Sequence, residues 1–277
     1  MRDDDHAGGL ARDLPLLTRR NVMTGVGLLG LVAVSGHLLS GTAGLAEANQ
    51  SAAGPDGAIC VKDPVETGGP FPADGTNAKS GLTVNALIQS GVVRGDLRAS
   101  FGGLSGLAEG VPLDLEILLK DVGAGCEALA NHAIYLWHAT ADGKYSLYDL
   151  PDQNFLRGVV VTDATGCATV KTVFPGCYDG RWPHIHFEVF STLQAAVSGK
   201  ASLLISQFAL PQGPSAAVYA ADSQYPASAA HLRGQSLARD IVFGDNTAEQ
   251  IAVQTIKLIG DPSTGFSGKV TVGVITG

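Results

Sequence analysis

The sequence predicts an all-β fold, a β-sandwich with long loops and a Gly/Pro-rich N-terminal arm, on three observations. Short apolar runs such as HAIYLWHA, ATVKTVF and HIHFEVF follow one another, separated by Gly, Asp, Asn and Pro. Segments with a helical period are scarce, and the best candidate, SAAHLRGQSLARDIVF, is expected to be partly irregular. Apolar residues make up 45% of the 277 positions and charged residues only 16%, which suits a packed core.

The beginning of the chain predicts an export signal over residues 1–46. Arg19 and Arg20 precede an apolar run over residues 22–39, and small residues follow it. Several glycines make this run weakly hydrophobic for a span of roughly 20 residues, so we expect a cleaved signal and no stable membrane partner. The alternative is that the run remains as a membrane anchor.

TRRNVM, residues 18–23, is similar to a twin-arginine motif, although Val-Met replaces the usual Phe-Leu after the arginines. The motif implies the twin-arginine export machinery as a partner and an exported location, whether secreted, periplasmic or at the cell surface. An ordinary secretory signal with a chance arginine pair is the alternative interpretation.

Charge and cysteine content limit the partners. A net charge of −8 without a cluster of Lys and Arg argues against nucleic acid as a partner. Four cysteines in an exported chain predict one or two disulfides, with all three pairings open, and their spacing does not suggest a zinc site. These cysteines are Cys60, Cys126, Cys167 and Cys177.

Two parts follow the signal. Residues 47–83 are rich in Gly, Pro, Ala and Asp, including TGGPFPADG, and predict an extended N-terminal arm. Residues 84–277 carry the regularly spaced apolar runs and predict one β-sandwich domain, whose loops are the expected place for a site.

The segment CYDGRWPHIHFEVF contains the most informative pattern. On a strand, His184 and His186 point to the same face, where two imidazoles can bind one metal ion. Alone, such a pair is better explained by a solvated face or by hydrogen-bonded core histidines. Tyr178 follows a PGC turn that can fold its phenol back toward the histidines, and Tyr145 and Tyr148 are both candidates for a second phenol.

Two phenols and two imidazoles combine hard oxygen with borderline nitrogen donors. This set favours Fe(3+) over zinc, copper(I) or calcium. A bound ferric ion would also keep the tyrosines ionised at neutral pH, because a cation lowers the pKa of its ligands.

NFLRGVVVTDATGCATVKTVFPGCYDGRWPHIHFEVF, with AIYLWHATADGKYSLYD before it, resembles the intradiol ring-cleavage dioxygenases, the catechol and protocatechuate 3,4-dioxygenase group, and most closely their secreted branch. The resemblance covers roughly residues 60–208. It implies catalytic roles for Arg181, Tyr178 and Gln207, although the segment before Gln207 is longer than expected. It implies four metal ligands, namely Tyr145, Tyr178, His184 and His186.

The resemblance implies an oxidoreductase that uses O2 to cleave a catechol-type ring between its two hydroxyl-bearing carbons. The product is a cis,cis-muconate-type diacid, and Arg181 would stabilise negative charge on the ring. Which catechol is the substrate stays open.

Two alternatives remain. The first is a non-catalytic β-sandwich module that binds a small molecule, although every expected ligand is present here. The second is a cupin-like Fe(II) site in which Glu188, on the same strand face, joins the two histidines. His138 is expected to be a structural hydrogen-bonding residue rather than a fifth ligand.

Overall fold

The structure is a computed structural model that describes residues 50–54, 57–79 and 82–276. The predicted export signal, residues 1–46, lies outside this part of the chain. Strands predominate over helices in the described ranges, so the all-β prediction is confirmed at the level of a mostly β protein with several sheets. None of the helices in these ranges has the length and apolar character needed to cross a bilayer.

The strands of the described part, in chain order, are β1 (Ser51–Ala53), β2 (Ile59–Val61), β3 (Asp74–Lys79), β4 (Leu82–Asn85), β5 (Pro112–Asp121), β6 (Glu127–Ala128), β7 (Ala133–Trp137), β8 (Arg157–Val161), β9 (Cys167–Val173), β10 (His184–Phe190), β11 (Leu204–Ala209), β12 (Lys257–Asp261) and β13 (Gly265–Val274). The α-helices there are α1 (Leu193–Val197), α2 (Gln212–Ala221), α3 (Ser228–Gly234) and α4 (Ala248–Gln254).

Two larger sheets provide the framework. One is antiparallel, in the order β11-β10-β7-β8. In the other, β5 pairs in parallel with β13 and antiparallel with β9 and β6, and β12 pairs with β13. Side chains of both sheets meet in one buried cluster, where β5 contributes Leu115 and β10 contributes Phe187.

Strand β5 shows how the sequence produces this core. Leu113, Leu115 and Ile117 are buried and alternate with Asp114 and Glu116, as the period of two requires for a strand with one face on the core. Burying each such side chain stabilises the fold by about 1.5–3 kcal/mol.

Strand β10 is buried on both faces. Ile185 and Phe187 join the cluster between the two sheets. The opposite face carries His184 and His186, and a second buried cluster on this side contains Trp137 together with residues of the N-terminal arm. The face of the sheet that carries the two histidines is therefore covered by the arm.

The described part of the arm contains no helix; it forms the strand pairs β1-β2 and β3-β4. A disulfide joins Cys60 to Cys126, just before β6, and resolves the pairing that the sequence left open. Cys167 and Cys177 are free thiols, so one of the one or two expected bridges forms.

Helices follow β11. The segment SAAHLRGQSLARDIVF contains α3 and a single 3-10 turn, Leu237–Arg239, which confirms the prediction of a partly irregular helix. Helices α1, α2 and α4 were not predicted. For α4 a signal was present: Thr247 accepts a hydrogen bond from the Gln250 amide, and the Gln250 side chain accepts one from the Thr247 amide, which forms a capping box.

Candidate metal centre

The histidine pair lies on the central strand β10, between β7 and β11. Both imidazoles are buried on the same face, and their Nε2 atoms are 3.1 Å apart. The ring of His186 stacks on Trp137, with centroids 4.9 Å apart and planes within 5°. The predicted same-face arrangement of the two histidines is confirmed.

Tyr178 is brought to the histidines by a close contact between two loops. The Gly176 amide donates to the Thr140 carbonyl at 3.0 Å. A Cβ on Gly176 would lie 2.7 Å from that oxygen and closer still to the carbonyl oxygen of Ala141, so this approach requires glycine. Two residues later, the Tyr178 hydroxyl lies 3.2 Å from His184 Nε2.

Tyr145 follows a turn in the facing loop. Gly143 adopts a φ of +83°, and the Thr140 amide donates to the Lys144 carbonyl at 2.8 Å. The Asp149 carboxylate accepts from the Tyr145 amide at 2.8 Å and fixes the start of the next turn. The Tyr145 hydroxyl then lies 3.3 Å from that of Tyr178.

Four donor atoms therefore converge: the hydroxyl oxygens of Tyr145 and Tyr178 and the Nε2 atoms of His184 and His186. Successive atoms in this set are 3.1–3.3 Å apart. Protein nitrogen and oxygen ligands lie roughly 2 Å from a bound transition metal, so neighbouring ligands of one ion are about 3 Å apart. The spacing of the four atoms fits a single ion.

The protonation of the histidines suits ligation. His184 Nδ1 lies 2.6 Å from the Trp182 carbonyl oxygen, which can only accept, so the proton is on Nδ1 and Nε2 presents a lone pair. Burial is the largest cause that lowers the pKa of both His184 and His186 well below the ordinary value, and it keeps both rings neutral.

Burial disfavours the ionised form of Tyr145, which is the form that would bind a metal ion. Burial, followed by the charge of the neighbouring Tyr178, raises the pKa of Tyr145 well above its ordinary value. A phenolate at this position therefore needs a cation beside it, and a metal ion held by the four donors would supply that charge.

The donor set distinguishes between metal types. No group of three or more His, Cys, Asp or Glu side chains within the described residues is arranged to hold a metal ion. The two-histidine, one-carboxylate alternative is therefore wrong: Glu188 interacts with Asp74, and burial followed by Asp74 raises its pKa to about 8. With the two phenols, four donors are available, and two phenols with two imidazoles could hold Fe(3+).

Arg181 and Gln207 lie beside the four donors. Arg181 Nη1 is 3.4 Å from His184 Nε2, and Nη2 donates to Gln207 Oε1 at 2.7 Å. Gln207 faces His186 across the β10-β11 pair, and its side-chain amide donates to the Thr67 carbonyl. The structure thus brings together all six residues that the resemblance selected.

Two other candidates lie outside the cluster. The Tyr148 hydroxyl donates to Asn77 at 2.6 Å and accepts from the Ala73 amide, so Tyr145 is the second phenol of the four. His138 is bonded to Thr172 and to the Ala139 carbonyl, which confirms its structural role.

Comparison with known proteins shows which family this part of the chain resembles. The family model described as "Dioxygenase" matches residues 106–195, a range that holds both phenols, Arg181 and both histidines. Chlorocatechol 1,2-dioxygenase of Pseudomonas sp. strain P51 is 34% identical over 79 residues, which are 22% of this chain and 32% of that protein. Over these residues the chain is similar to the intradiol ring-cleavage dioxygenases.

A second curated relative and a solved structure are also similar to this chain. Chlorocatechol 1,2-dioxygenase of Pseudomonas putida is 33% identical over 82 residues, 23% of this chain and 32% of that protein. The chain thus spans about a third of the length of these curated relatives. An intradiol ring-cleavage dioxygenase from Tetranychus urticae superposes with a TM-score of 0.58 over 78% of this chain and 95% of its own, at 21% identity, and shares the fold.

The site also contains residues that sequence reasoning missed, and they come from two distant segments. From the arm, Phe71 packs on Tyr145 with ring centroids 4.9 Å apart, and a Cβ on Gly69 would lie 3.2 Å from the His186 ring. From the segment after β11, Asp240 binds Arg181. The Gly- and Pro-rich sequence TGGPFP could have indicated that the arm approaches the site closely, whereas we find no sequence signal for Asp240.

Proposed function

We propose that this chain is a non-haem Fe(III) intradiol dioxygenase, which cleaves a catechol-type ring between its two hydroxyl-bearing carbons with O2 and releases a cis,cis-muconate-type diacid. The observation that carries the proposal is the convergence of two phenol oxygens and two imidazole nitrogens within 3.1–3.3 Å of their neighbours. The match of residues 106–195 to the dioxygenase family model and the adjacent Arg181 support it.

The proposed ligands are Tyr145, Tyr178, His184 and His186. When bound, Fe(3+) would lower the pKa values of its phenol ligands and of the catechol hydroxyls and activate the ring toward O2. His184 and His186 contribute neutral lone pairs, and the Trp182 carbonyl orients the first of them.

Tyr178 is the phenol suited to receive a proton from the substrate. It is partly exposed and lies on a loop, whereas Tyr145 is 2% exposed and packed against Phe71. Released from its position, the Tyr178 phenolate can accept a catechol proton as a general base. Tyr145 stays in place and keeps its charge in the site.

Arg181 supplies a fixed positive charge. Its buried guanidinium approaches His184 with Nη1 at 3.4 Å, and Gln207 holds Nη2. Negative charge that develops on the substrate ring is stabilised by such a preorganised cation without reorganisation at the moment of reaction.

We also propose that the two larger sheets form a β-sandwich domain over residues 84–277, that residues 47–83 are its N-terminal arm, and that the chain is exported through residues 1–46 by the twin-arginine machinery. These proposals rest on the composition and motifs of the chain.

The first test is the visible absorption spectrum and iron content of the purified protein, before and after adding catechol without oxygen. We expect a tyrosinate-to-iron band that shifts with catechol, followed by O2 uptake and formation of the diacid. A non-catalytic binding module would give a catechol shift without O2 uptake. A protein that stays colourless after ferric loading would contradict the metal assignment.

His184→Ala is the matching variant, because it removes one ligand nitrogen, and we expect it to lose iron. His138→Gln is the control: His138 is equally buried but bonded to Thr172 rather than to the cluster. Equal iron retention by both variants would contradict the ligand set.

A further inference from the structure

Arg181 is held from behind by a carboxylate that is distant in the sequence. Asp240 Oδ2 accepts from Arg181 Nε at 3.0 Å, and Oδ1 accepts from Nη2 at 3.4 Å. The Asp240 side chain is 0% exposed. Asp240 follows the 3-10 turn Leu237–Arg239 and lies outside residues 106–195, the range shared with the family model.

The carboxylate is itself fixed by backbone amides. Oδ2 accepts from the Trp182 amide at 2.6 Å, and Oδ1 accepts from the amides of Val242 and Phe243 at 2.8 and 3.1 Å. An ionised carboxylate only accepts hydrogen bonds, and here every partner is a donor. Asp240 therefore joins the loop of residues 240–243 to the turn that leads into β10.

This arrangement determines which edge of Arg181 faces the cluster. The guanidinium is planar and rigid, so fixing Nε and Nη2 also fixes Nη1. Nη1 is the nitrogen that lies 3.4 Å from His184 Nε2. Gln207 accepts from Nη2 alone, and a single bond at one nitrogen does not define the plane.

We propose that Asp240 is a positioning residue, which holds the Arg181 guanidinium with Nη1 directed at the metal centre. The inference rests on the proposed function, in which Arg181 stabilises charge on the substrate ring. It extends the active site to the segment after β11. The competing explanation is that Asp240 only neutralises a buried cation and supports the fold.

Asp240→Asn tests the proposal, because it removes the charge and presents an amide NH2 to a set of donors. With catechol as the substrate, we expect kcat to fall by about 10- to 100-fold, the range seen when a partner that orients an active-site group is lost. KM should change less, because the four metal ligands are intact. Iron content and the tyrosinate band of the variant should equal those of the unaltered protein.

A double-mutant cycle separates positioning from folding. If Asp240 acts through Arg181, Asp240→Asn causes no further loss of kcat in an Arg181→Ala background. Independent, additive losses in the two backgrounds would overturn the proposal. Asp96→Asn is the matched control, since Asp96 forms an exposed ion pair with Arg98 and should leave kcat unchanged.

If the Asp240→Asn variant does not fold, a measurement on the unaltered protein still tests the proposal. In nitrogen NMR spectra of the protein loaded with diamagnetic Ga(3+) in place of Fe(3+), the Arg181 Nε–Hε signal, assigned with Arg181→Lys, should be resolved and slow to exchange with solvent because Asp240 holds it. A rapidly exchanging signal would overturn the positioning role. This readout does not depend on activity: absence of O2 uptake by the unaltered protein with catechols would contradict the proposed function, whereas full kcat in folded Asp240→Asn would contradict only the role of Asp240.

Discussion

At the scale of single residues, burial distinguishes the two phenols of the proposed metal centre. Tyr145 is enclosed by Phe71 and by its own loop, and its hydroxyl faces Tyr178 at 3.3 Å. Tyr178 retains exposed surface, and its hydroxyl faces His184. Two chemically identical side chains therefore have different freedom to move, which is the property that the proposed reaction requires.

Replacing each phenol should give different outcomes. Tyr178→Phe removes the proposed base, and we expect iron to be retained, the visible band to shift and kcat with catechol to fall by about 100-fold or more. Tyr145→Phe removes the buried anionic ligand, and we expect loss of iron. Tyr148→Phe is the control, because its hydroxyl bonds to Asn77 and Ala73 instead of the cluster. Equal iron loss in the Tyr145 and Tyr178 variants would contradict this division of roles.

At the scale of secondary-structure elements, strands and loops position different residues of the site. Strand β10 determines the histidine positions by its period of two, and the loop contact at Gly176 determines where Tyr178 lies relative to Tyr145. The contact leaves no space for a side chain, so the position of Tyr178 depends on one glycine.

Gly176→Ala should therefore damage the site without touching a ligand. The new methyl group would push against the Thr140 and Ala141 carbonyls, and we expect a loss of about 1–3 kcal/mol in the free energy of unfolding. The loops should separate, so the tyrosinate band should weaken. Gly213→Ala in α2 is the control, because a Cβ there meets nothing within 4 Å. A normal band in Gly176→Ala would show that the loops adjust freely.

The sequence predicts the features of the site that depend on neighbouring residues. It does not predict the contacts between distant segments. The same-face placement of His184 and His186 follows from strand periodicity alone, and the PGC turn before Tyr178 was visible. The residues alone could not distinguish Tyr145 from Tyr148 as the second phenol. The distinction depends on the position of Asn77 in the arm, which binds the Tyr148 hydroxyl. Asp240 reaches Arg181 across 59 positions, a pairing that local patterns do not encode.

At the scale of the whole molecule, the arm is fastened to the same sheet that contains β5. The Cys60–Cys126 bridge closes a segment of 66 positions, which stabilises the folded chain by about 4 kcal/mol in a chain-entropy account. Asp63 adds a second attachment: its amide donates to the Gly273 carbonyl, and its Oδ2 accepts from the Gly273 amide at 2.8 Å. Because Thr67, Gly69 and Phe71 follow, these attachments also fix the arm over the metal centre.

The Asp63 attachment should make stability depend on pH. Burial, only partly offset by the Gly273 hydrogen bond, raises the pKa of Asp63 to about 7, and within the described residues its Oδ1 has no hydrogen-bond partner. Since this folded pKa exceeds the unfolded value of about 4, the folded state binds the extra proton between these values. The contribution of Asp63 is therefore most favourable below about pH 4 and is lost as the pH rises to about 7 and above.

Asp63→Asn should remove this dependence. At pH 8 the neutral amide avoids the cost of a buried carboxylate, so we expect the variant to be more stable than the unaltered protein by a few kcal/mol, and this advantage should disappear toward pH 4. Denaturant unfolding of both proteins at several pH values measures the difference. The exposed Asp152→Asn provides the control, and a difference that does not change with pH would show that Asp63 is not held in its protonated form. A stability gain at pH 8 with an unchanged tyrosinate band would show that the ionised Asp63 carboxylate lowers the stability of the protein without displacing the arm from the proposed metal centre.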